Sequence, residues 1–310
     1  MSFFSKYHLA LTYALLVLIW SSTPLAIVWS VTDLNPYWAL LFRFFLACPL
    51  AFLLLKILKL KFALHARALH SYVAGSFSLI GSQFFTYMAT QYLSSGMIAL
   101  MFGLSPIIAG LIGWVCFNQS LRFMQWLGML VAVCGLGLIC FSHQQQHIQI
   151  AGIFLMLISV FNYAMSIFWV KKVEAQLSPL VQATGSILVS TLISCCIIPF
   201  IWADVPQHVP SLRSILAIVY CVLMASLLAM FCYFKLVQQI QPTTLSLTNV
   251  MTPVFALLIG AALNHEQISL HVMLGALVLL SGLFIYFFKD LQLLQVWEKR
   301  FNATKQTKFK

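Results

Sequence analysis

Residues 103–141 read GLSPIIAGLIGWVCFNQSLRFMQWLGMLVAVCGLGLICF, and residues 250–288 read VMTPVFALLIGAALNHEQISLHVMLGALVLLSGLFIYFF. When one stretch is laid on the other without a gap, every Pro and Gly of the second meets its like in the first. Two apolar helices can align Leu with Leu by chance, but Pro and Gly residues that align without a gap indicate an internal duplication. The matched pairs are Pro106 with Pro253, Gly113 with Gly260, Gly128 with Gly275, and Gly135 with Gly282.

The composition around these stretches is that of a membrane protein. The chain has 310 residues, of which 62% are hydrophobic and 7% are charged, and its mean hydropathy is +0.98. A soluble domain is about half apolar and about a quarter charged. So few charges exclude a water-facing surface, and so much apolar content excludes a disordered chain. The lipid bilayer is therefore the predicted environment.

Ten apolar segments are long enough to cross about 30 Å of hydrocarbon as helices. They lie at 9–30, 36–57, 70–92, 94–117, 124–142, 149–170, 179–202, 212–234, 242–263 and 270–288. Each half of the chain, 9–142 and 149–288, then holds five spans, and an odd number inverts the second copy relative to the first. The sequence predicts an all-α integral membrane protein built from two inverted five-helix repeats, an architecture of secondary transporters.

Basic residues set the orientation, because cytoplasmic loops collect Lys and Arg. With the N-terminus inside, all of the 17 bases fall on the inner side except Arg43 and Arg213. Both termini are therefore predicted to be cytoplasmic, in a bacterial inner membrane. The net charge of +11 is then a topology signal, and no nucleic-acid partner is needed. The basic tail 289–310 has apolar residues at helical spacing, which favours a helix on the inner membrane surface, with a solvated disordered tail as the alternative.

The sequence offers no site for a metal, a cofactor or a known enzymatic reaction. The 8 Cys lie in or beside apolar segments, without CxxC spacing, as buried thiols do. No DxxxD, HExxH, GxSxG or P-loop motif occurs. We therefore expect neither an enzyme nor a metal or cofactor site.

Several of these features together resemble the EamA family of the drug/metabolite transporter superfamily. They are Trp20-Ser21-Ser22, Leu41-Phe42-Arg43, Ser105-Pro106, Thr252-Pro253, Glu266, and the Gly pairs of the fifth and tenth spans. The first half departs from the usual Glu at the end of the fourth span and has Gln119 there. The resemblance implies alternating-access export of small-molecule metabolites such as amino acids. A flippase for a lipid-linked or strongly amphipathic molecule remains the alternative.

Polar and aromatic residues within the spans are candidates for a substrate cavity. An amide that faces hydrocarbon has no hydrogen-bonding partner, so such side chains should face the bundle interior. Hydrogen bonding between helices and ordinary core packing are the alternatives. The predicted substrate-binding residues are Trp20, Ser22, Gln83, Tyr87, Met101, Asn162, Tyr163, Thr248 and Asn249.

The duplicated prolines and two charges complete the predicted site. Pro106 and Pro253 are repeat-related and interrupt helical hydrogen bonding, so we expect them to act as hinges, with a static kink as the alternative. Arg43 lies roughly 10 Å into its span, and a charge at such depth is a functional hypothesis by default, with snorkelling as the alternative. We expect Arg43 and Glu266 to interact and to bias one access state. No acid lies at mid-membrane, so proton coupling is left only to Glu266 or a His, and an uncoupled facilitator is equally open.

Overall fold

The computed structural model describes residues 3–118, 120–140, 149–239, 248–266 and 269–307. Within these ranges the side chains of 3–8, 117, 140, 234, 237–239, 249–250 and 289–307 are not described. All regular structure in the described ranges is helical. The α-helices are α1 (Phe3–Ser30), α2 (Pro36–Ile57), α3 (Ala66–Ser76), α4 (Ser82–Ala89), α5 (Ser95–Gly103), α6 (Ser105–Phe117), α7 (Phe123–Cys140), α8 (Ile150–Val173), α9 (Pro179–Ile197), α10 (Leu212–Tyr220), α11 (Ala229–Gln239), α12 (Thr248–Asn264) and α13 (Leu270–Thr307).

Two π-helical turns join neighbouring helices into longer rods. Phe77–Gly81 joins α3 to α4, and Cys221–Leu228 joins α10 to α11. Two short 3₁₀ turns, Ile198–Phe200 and Trp202–Asp204, follow α9. A π-turn inserts an extra residue into the helix and is frequent at functional sites.

Within the described ranges, seven helical segments are long and apolar enough to cross a membrane. They are Leu9–Ser30, Pro36–Ile57, Ser95–Cys116, Ile150–Val173, Pro179–Phe200, Leu212–Tyr233 and Leu270–Phe288. Two apolar helices, Phe123–Ile139 and Met251–Asn264, are shorter, and the rod at 66–89 is more polar. The chain is therefore a multi-pass helical membrane protein in which seven of the ten predicted spans meet length and composition limits.

Local sequence explains where several of these helices begin and break. Pro36 starts α2, and Asn35 caps it by accepting a hydrogen bond from the Tyr37 N–H at 3.0 Å. A turn at Leu104 separates α5 from α6. The break falls two residues before Pro106, which has no N–H to continue the helical ladder.

Helix packing places polar side chains inside and large apolar side chains outside. Ser82 and Thr86 on α4 each lie within hydrogen-bonding distance of Ser159 on α8, at 2.9 and 2.8 Å between oxygens. By contrast, Phe45 is 59% exposed and Leu130 is 64% exposed. Such an apolar exterior suits a hydrocarbon solvent and would be a liability in water.

The helices from the duplicated stretches pack against one another. The helix α7 lies along α13, and α5 lies along α12. The crossing of α7 and α13 is so close that a Cβ added at Gly128 would lie 2.6 Å from the Gly282 carbonyl oxygen, and one at Gly135 would lie 2.7 Å from that of Gly275. Glycine is required at these positions because backbone meets backbone. The α13 helix continues through the described part of the basic tail as far as Thr307, while its placement on the membrane surface stays a prediction.

Candidate functional site

Two adjoining cavities lie among the central helices. The first, of about 120 Å³, is called here the Arg43 chamber. The second, of about 200 Å³, is called the Lys171 chamber. Room for a single water requires about 10–15 Å³ on this measure, so each can hold a small organic solute. The residues that line both chambers form a waist between them: Trp20, Ser78, Leu79, Tyr163 and Met230.

The two π-turns supply residues to these walls. Ser78 and Leu79 lie in the first π-turn, at the waist, and Ala225 lies in the second, in the Arg43 chamber. Ser78 and Ala225 are related by the same offset that relates Pro106 to Pro253. The extra residue in each turn therefore changes the helix path at matching points of the two halves, next to the cavities.

Aromatic rings form the sides of the waist. The rings of Trp20 and Tyr233 lie 5.4 Å apart between centroids, tilted by 38°. Tyr163 meets Phe102 edge-on at 6.2 Å. Such surfaces pack against apolar or aromatic solutes with a defined geometry. The cavity walls are thus mainly apolar, with a few polar groups at fixed places, as in small-molecule sites generally.

Arg43 is the charged group of the first chamber. Its side chain is only 3% exposed; its Nε donates to Ser226 Oγ at 3.1 Å, and its Nη1 donates to Gln83 Oε1 at 3.1 Å. The Tyr87 hydroxyl is buried beside Arg43 and Ser30, where it makes no hydrogen bond of standard geometry. Arg43 therefore links α2 to the rods at 66–89 and 212–239 through neutral partners.

One polar group that lines this chamber has no hydrogen-bonding partner in the described structure. Thr252 lines the chamber, and its Oγ1 is buried without a hydrogen bond. Its repeat counterpart Ser105 lines the same chamber. Since buried hydroxyl groups are usually paired, the Thr252 hydroxyl can donate to or accept from a solute.

The Lys171 chamber has a more extensive polar wall. Ser71 Oγ donates to Gln182 Oε1 at 2.6 Å, and Gln182 Nε2 donates to the Ser71 carbonyl at 2.8 Å and to Ser186 Oγ at 3.1 Å. Ser166 Oγ donates to the Ala74 carbonyl at 2.7 Å. These bonds tie α3, α8 and α9 together around the chamber. The exposed Lys171 stands at its rim.

Glu266 lies away from both chambers and binds a helix terminus. Its Oε1 accepts from the Ser95 N–H at 3.0 Å and from Ser95 Oγ at 2.6 Å, and its Oε2 accepts from the Gly96 N–H at 3.2 Å. A carboxylate at these first N–H groups of α5 complements the positive end of the helix dipole. The predicted interaction between Arg43 and Glu266 is not formed: each has other partners in the described structure. Sequence reasoning estimated a depth for Arg43 in its span but not the side chains that surround it, which are Ser226 and Gln83.

A polar network near Glu266 joins the ends of several helices. Asn264 Oδ1 accepts from Trp29 Nε1 at 2.8 Å and from Arg213 Nη2 at 3.1 Å, and the Arg213 guanidinium stands 4.3 Å from the centroid of the Trp29 ring. Asp33 accepts from the Ser211 N–H at 3.1 Å. Hydrogen bonds from Ser211 hold the pKa of the Asp33 carboxyl below its usual value.

The chambers contain some of the predicted site residues and not others. Trp20, Gln83, Tyr163, Arg43 and Pro253 line them. The side chain of Asn249 lies outside the described residues. The predicted residues that are placed elsewhere are Ser22, Tyr87, Met101, Asn162, Thr248, Pro106 and Glu266.

Local hydrogen bonds and packing explain where some of these residues lie. Ser22 Oγ lies 2.6 Å from the Tyr220 hydroxyl, and Asn162 Nδ2 donates to the Ile158 carbonyl at 3.0 Å. Met101 is fully buried in a hydrophobic cluster. In this structure the interhelical alternative describes Ser22 and core packing describes Met101, whereas Asn162 bonds to a carbonyl of its own helix α8. Whether any of them contacts substrate in another state stays a prediction.

Sequence reasoning missed several chamber residues. Ser78 and Ala225 gave no signal, because nothing in their local pattern distinguishes a π-turn from an ordinary helical turn. Ser105 and Thr252 were not missed in the same way, because helical spacing places them on repeat-related faces with Met101 and Thr248 as candidates for a cavity wall, and both line the Arg43 chamber. Among the described residues, no group of three or more His, Cys, Asp or Glu is placed to hold a metal ion.

The chain is similar to known proteins over most of its length. The EamA-like transporter family matches residues 8–141 and 150–288. The chain is 25% identical to Protein PagO of Salmonella typhimurium over 90% of its own length and 93% of that protein. It is 22% identical to the uncharacterized transporter YoaV of Bacillus subtilis over 86% of this chain and 92% of that one.

Two further matches concern function and fold. A probable amino-acid metabolite efflux pump of Salmonella typhimurium is 24% identical over 66% of this chain and 71% of that protein. A crystal structure aligns over 93% of this chain and 99% of its own, with a TM-score of 0.65 and 16% identity, which shows a shared fold. Since the family matches nearly the whole length, the chain belongs to the EamA-like transporter family, as its motifs implied.

Proposed function

We propose that the chain is a secondary transporter that exports small organic metabolites, such as amino acids, by alternating access. The observation that carries this proposal is the pair of chambers that meet at a shared waist. A carrier must expose one site to each side in turn, and chambers on either side of a waist provide the two routes. Membership of a transporter family supports it, and the efflux pump among the relatives favours export.

The proposal includes ten spans in two inverted repeats, with both termini cytoplasmic in the inner membrane. The contacts of the glycine crossing support the inversion. Gly128 meets Gly282, and exchanging each glycine for its repeat counterpart gives the contact of Gly275 with Gly135, which is also present. Antiparallel helices related in this way have a twofold axis across them, which is the axis of an inverted repeat.

Several other helix pairs support the proposed symmetry. The helix α8 packs on α4, and α1 packs on the rod at 212–239, which are counterpart pairs under the duplication. Likewise α2 packs on α9, and each is the other's counterpart. One set of helices can therefore supply the two alternative sets of helix contacts that the two access states of a carrier require. In the predicted orientation the Lys171 chamber faces the cytoplasm, because Lys171 and Lys172 end α8 on the basic side.

Among the residues whose side chains are described, no acidic residue lines either chamber. We therefore propose a facilitator driven by the solute gradient rather than a carrier with a buried carboxylate that takes up protons. Counterflow in proteoliposomes, with and without an imposed pH gradient, tests this coupling. Exchange that is unchanged by the gradient is expected, whereas exchange that follows the gradient would replace the facilitator with a proton-coupled carrier.

A pair of Ser→Phe variants tests the waist itself. The Ser78 and Ser281 hydroxyls each donate a hydrogen bond to a backbone carbonyl of the preceding helical turn. Ser78 lies at the waist, whereas Ser281 is exposed on α13. We expect Ser78→Phe to reduce counterflow of a mixed pool of amino acids and other small metabolites more than tenfold. Ser281→Phe should stay within about twofold of the parent.

The outcomes distinguish the route of transport from the class of transported molecule. Unchanged exchange in a folded Ser78→Phe protein would refute passage through the waist. Absence of exchange for every small solute in the folded parent, together with movement of a lipid-linked compound, would indicate a flippase instead.

A further inference from the structure

The Arg43 guanidinium is a buried cation without a counter-ion in the described structure. Its hydrogen-bond partners, Ser226 and Gln83, are neutral, and its other close neighbours are Tyr87 and Cys221. None of the acids whose side chains are described forms an ion pair with it. A guanidinium has more N–H donors than the two bonds to Ser226 and Gln83 use.

Such a cation is costly to keep inside a membrane protein. Neutral oxygens compensate only part of the hydration that burial removes, and a paired anion compensates much more. Guanidinium also matches carboxylate geometry, because two parallel N–H groups can meet two oxygens. An anionic group that entered the chamber would therefore gain more from Arg43 than a neutral group of the same shape.

The remainder of the chamber restricts the body of that solute. Phe102, Ile27 and the waist residue Trp20 give an apolar and aromatic surface. The unpartnered Thr252 hydroxyl provides one additional hydrogen-bonding group. The cavity of about 120 Å³ sets a small size. These features together describe an apolar or aromatic body with a single anionic head.

The charge of the second chamber has the same sign. Lys171 lies at its rim, and the described residues that line it include no acid. A wall of one sign in a low-dielectric cleft raises the local concentration of the opposite ion. Lys171 and Arg43 thus stand at successive points of one route, the first exposed and the second buried.

We propose that the transported solutes are small carboxylates with an apolar or aromatic body, whose carboxylate binds Arg43. This inference rests on the proposed transport function and specifies its substrate class. Amino acids fall within it through their carboxylate. The absence of an acid from both linings gives their ammonium group no ionic partner, so the corresponding acid without an amino group should bind at least as well.

Matched solutes test the inference on the parent protein. The set consists of 4-methylvalerate, its neutral amide, L-leucine and leucinamide, which share one apolar body and differ in charge. Thermal stabilisation of the purified protein gives affinity, and counterflow gives transport. We expect the two carboxylates to bind at least tenfold more tightly than their amides. Equal affinities of acid and amide in a protein that transports them would overturn the inference while leaving the transporter intact.

Substitutions of Arg43 separate recognition from structure. In Arg43→Gln the acid-to-amide affinity ratio should fall at least tenfold towards one, and Arg43→Lys should keep part of it. Arg67→Gln removes the same charge from an exposed position outside both chambers and should leave the ratio unchanged. A purely structural Arg43 would weaken acid and amide binding equally, and an unchanged ratio in Arg43→Gln would overturn the proposal.

The design stays decisive if one variant does not fold. The acid and amide comparison needs only the parent, and Arg43→Lys preserves the cation and its bonding to neutral oxygens. Failure of the parent to exchange any solute would count against the transport function, whereas exchange without discrimination would count only against carboxylate recognition.

Discussion

The crossing of α7 and α13 offers a sharp test of the packing that supports the inverted repeat. A Cβ at Gly128 would lie 2.5 Å from the Tyr286 backbone N and 2.6 Å from the Gly282 carbonyl oxygen. Both atoms belong to a rigid helix and cannot move aside by rotating a side chain. Ordinary carbon contacts begin at roughly 3.5 Å, so the helices must separate by about 1 Å. We expect Gly128→Ala to cost about 1–3 kcal/mol, the usual range for overpacking.

A control lies on the same helix. A Cβ at Gly137 would meet nothing within 4 Å, so Gly137→Ala adds the same methyl without a clash. Relative to glycine, alanine favours a helix by about 0.5–1 kcal/mol, and Gly137→Ala should be neutral or slightly stabilising. Unfolding of each purified variant in a mixed-detergent titration gives both free energies.

The facing pair adds a second requirement. Gly282→Ala should cost about as much as Gly128→Ala, since its Cβ would lie 2.6 Å from the Gly128 carbonyl oxygen. Once one methyl has separated the helices, the second needs little more room, so the double variant should cost less than the sum of the singles. Equal stability of Gly128→Ala and Gly137→Ala would refute the close crossing, and strict additivity would refute a shared contact.

Four further predictions follow from other parts of the structure. Hydrogen bonds from Ser211 lower the pKa of Asp33, so the ionised carboxylate stabilises the fold at pH values above its usual pKa of 3.8. This stabilisation is lost as the pH falls through the lowered pKa. In Asp33→Asn the unfolding midpoint should therefore depend less on pH across that range than it does in the parent. Glu266→Gln should cost about 1–2 kcal/mol in the same unfolding titration, because charge-assisted bonds to the Ser95 end of α5 are weakened, and parent-like stability would contradict that capping role. Thr252→Val should leave stability unchanged or raise it by up to about 1 kcal/mol while raising the transport KM, whereas strong destabilisation would reveal a structural hydroxyl. An inside-negative diffusion potential should accelerate efflux of a monoanionic carboxylate from proteoliposomes, since each 100 mV is worth about 2.3 kcal/mol, but should leave its amide unaffected; potential-independent efflux of the anion would indicate a compensating ion.

Sequence reasoning predicted those features of the fold that patterns along the chain specify. Residues 36–57 match α2 because Asn35 and Pro36 specify a helix start and Lys56 marks its polar end. The register of the glycines predicted a duplication. That Gly128 would lie on Gly282 required the packing of α7 against α13, which no local pattern contains.

The predicted site was incomplete for geometric reasons. Met101 and Ser105 are four residues apart and would share a face of one straight helix, but the turn at Leu104 interrupts that helix. Met101 consequently packs in the core, and Ser105 lines the chamber. Similarly, sequence estimates how deep Arg43 lies in its span but not which side chains surround it, and its hydrogen bonds go to Ser226 and Gln83 rather than to Glu266.

The two halves share packing but differ in side-chain chemistry, and a carrier benefits from both properties. In the proposed inverted repeat, helix contacts that exchange under a twofold operation would give two access states of similar energy, so that a weakly bound solute could shift their populations. The side-chain chemistry of the two halves differs: Gln83 lines the Arg43 chamber, whereas its counterpart Met230 lies at the waist. Arg43, seven residues after Pro36, corresponds to the neutral Ser186, seven residues after Pro179. Under the proposed function, the symmetric packing provides the reversible motion and the unpaired Arg43 provides a site of one sign. The free-energy cost of burying this cation is then offset most fully when a carboxylate occupies the chamber. Solute binding is thereby coupled to the state in which the chamber is closed around the solute.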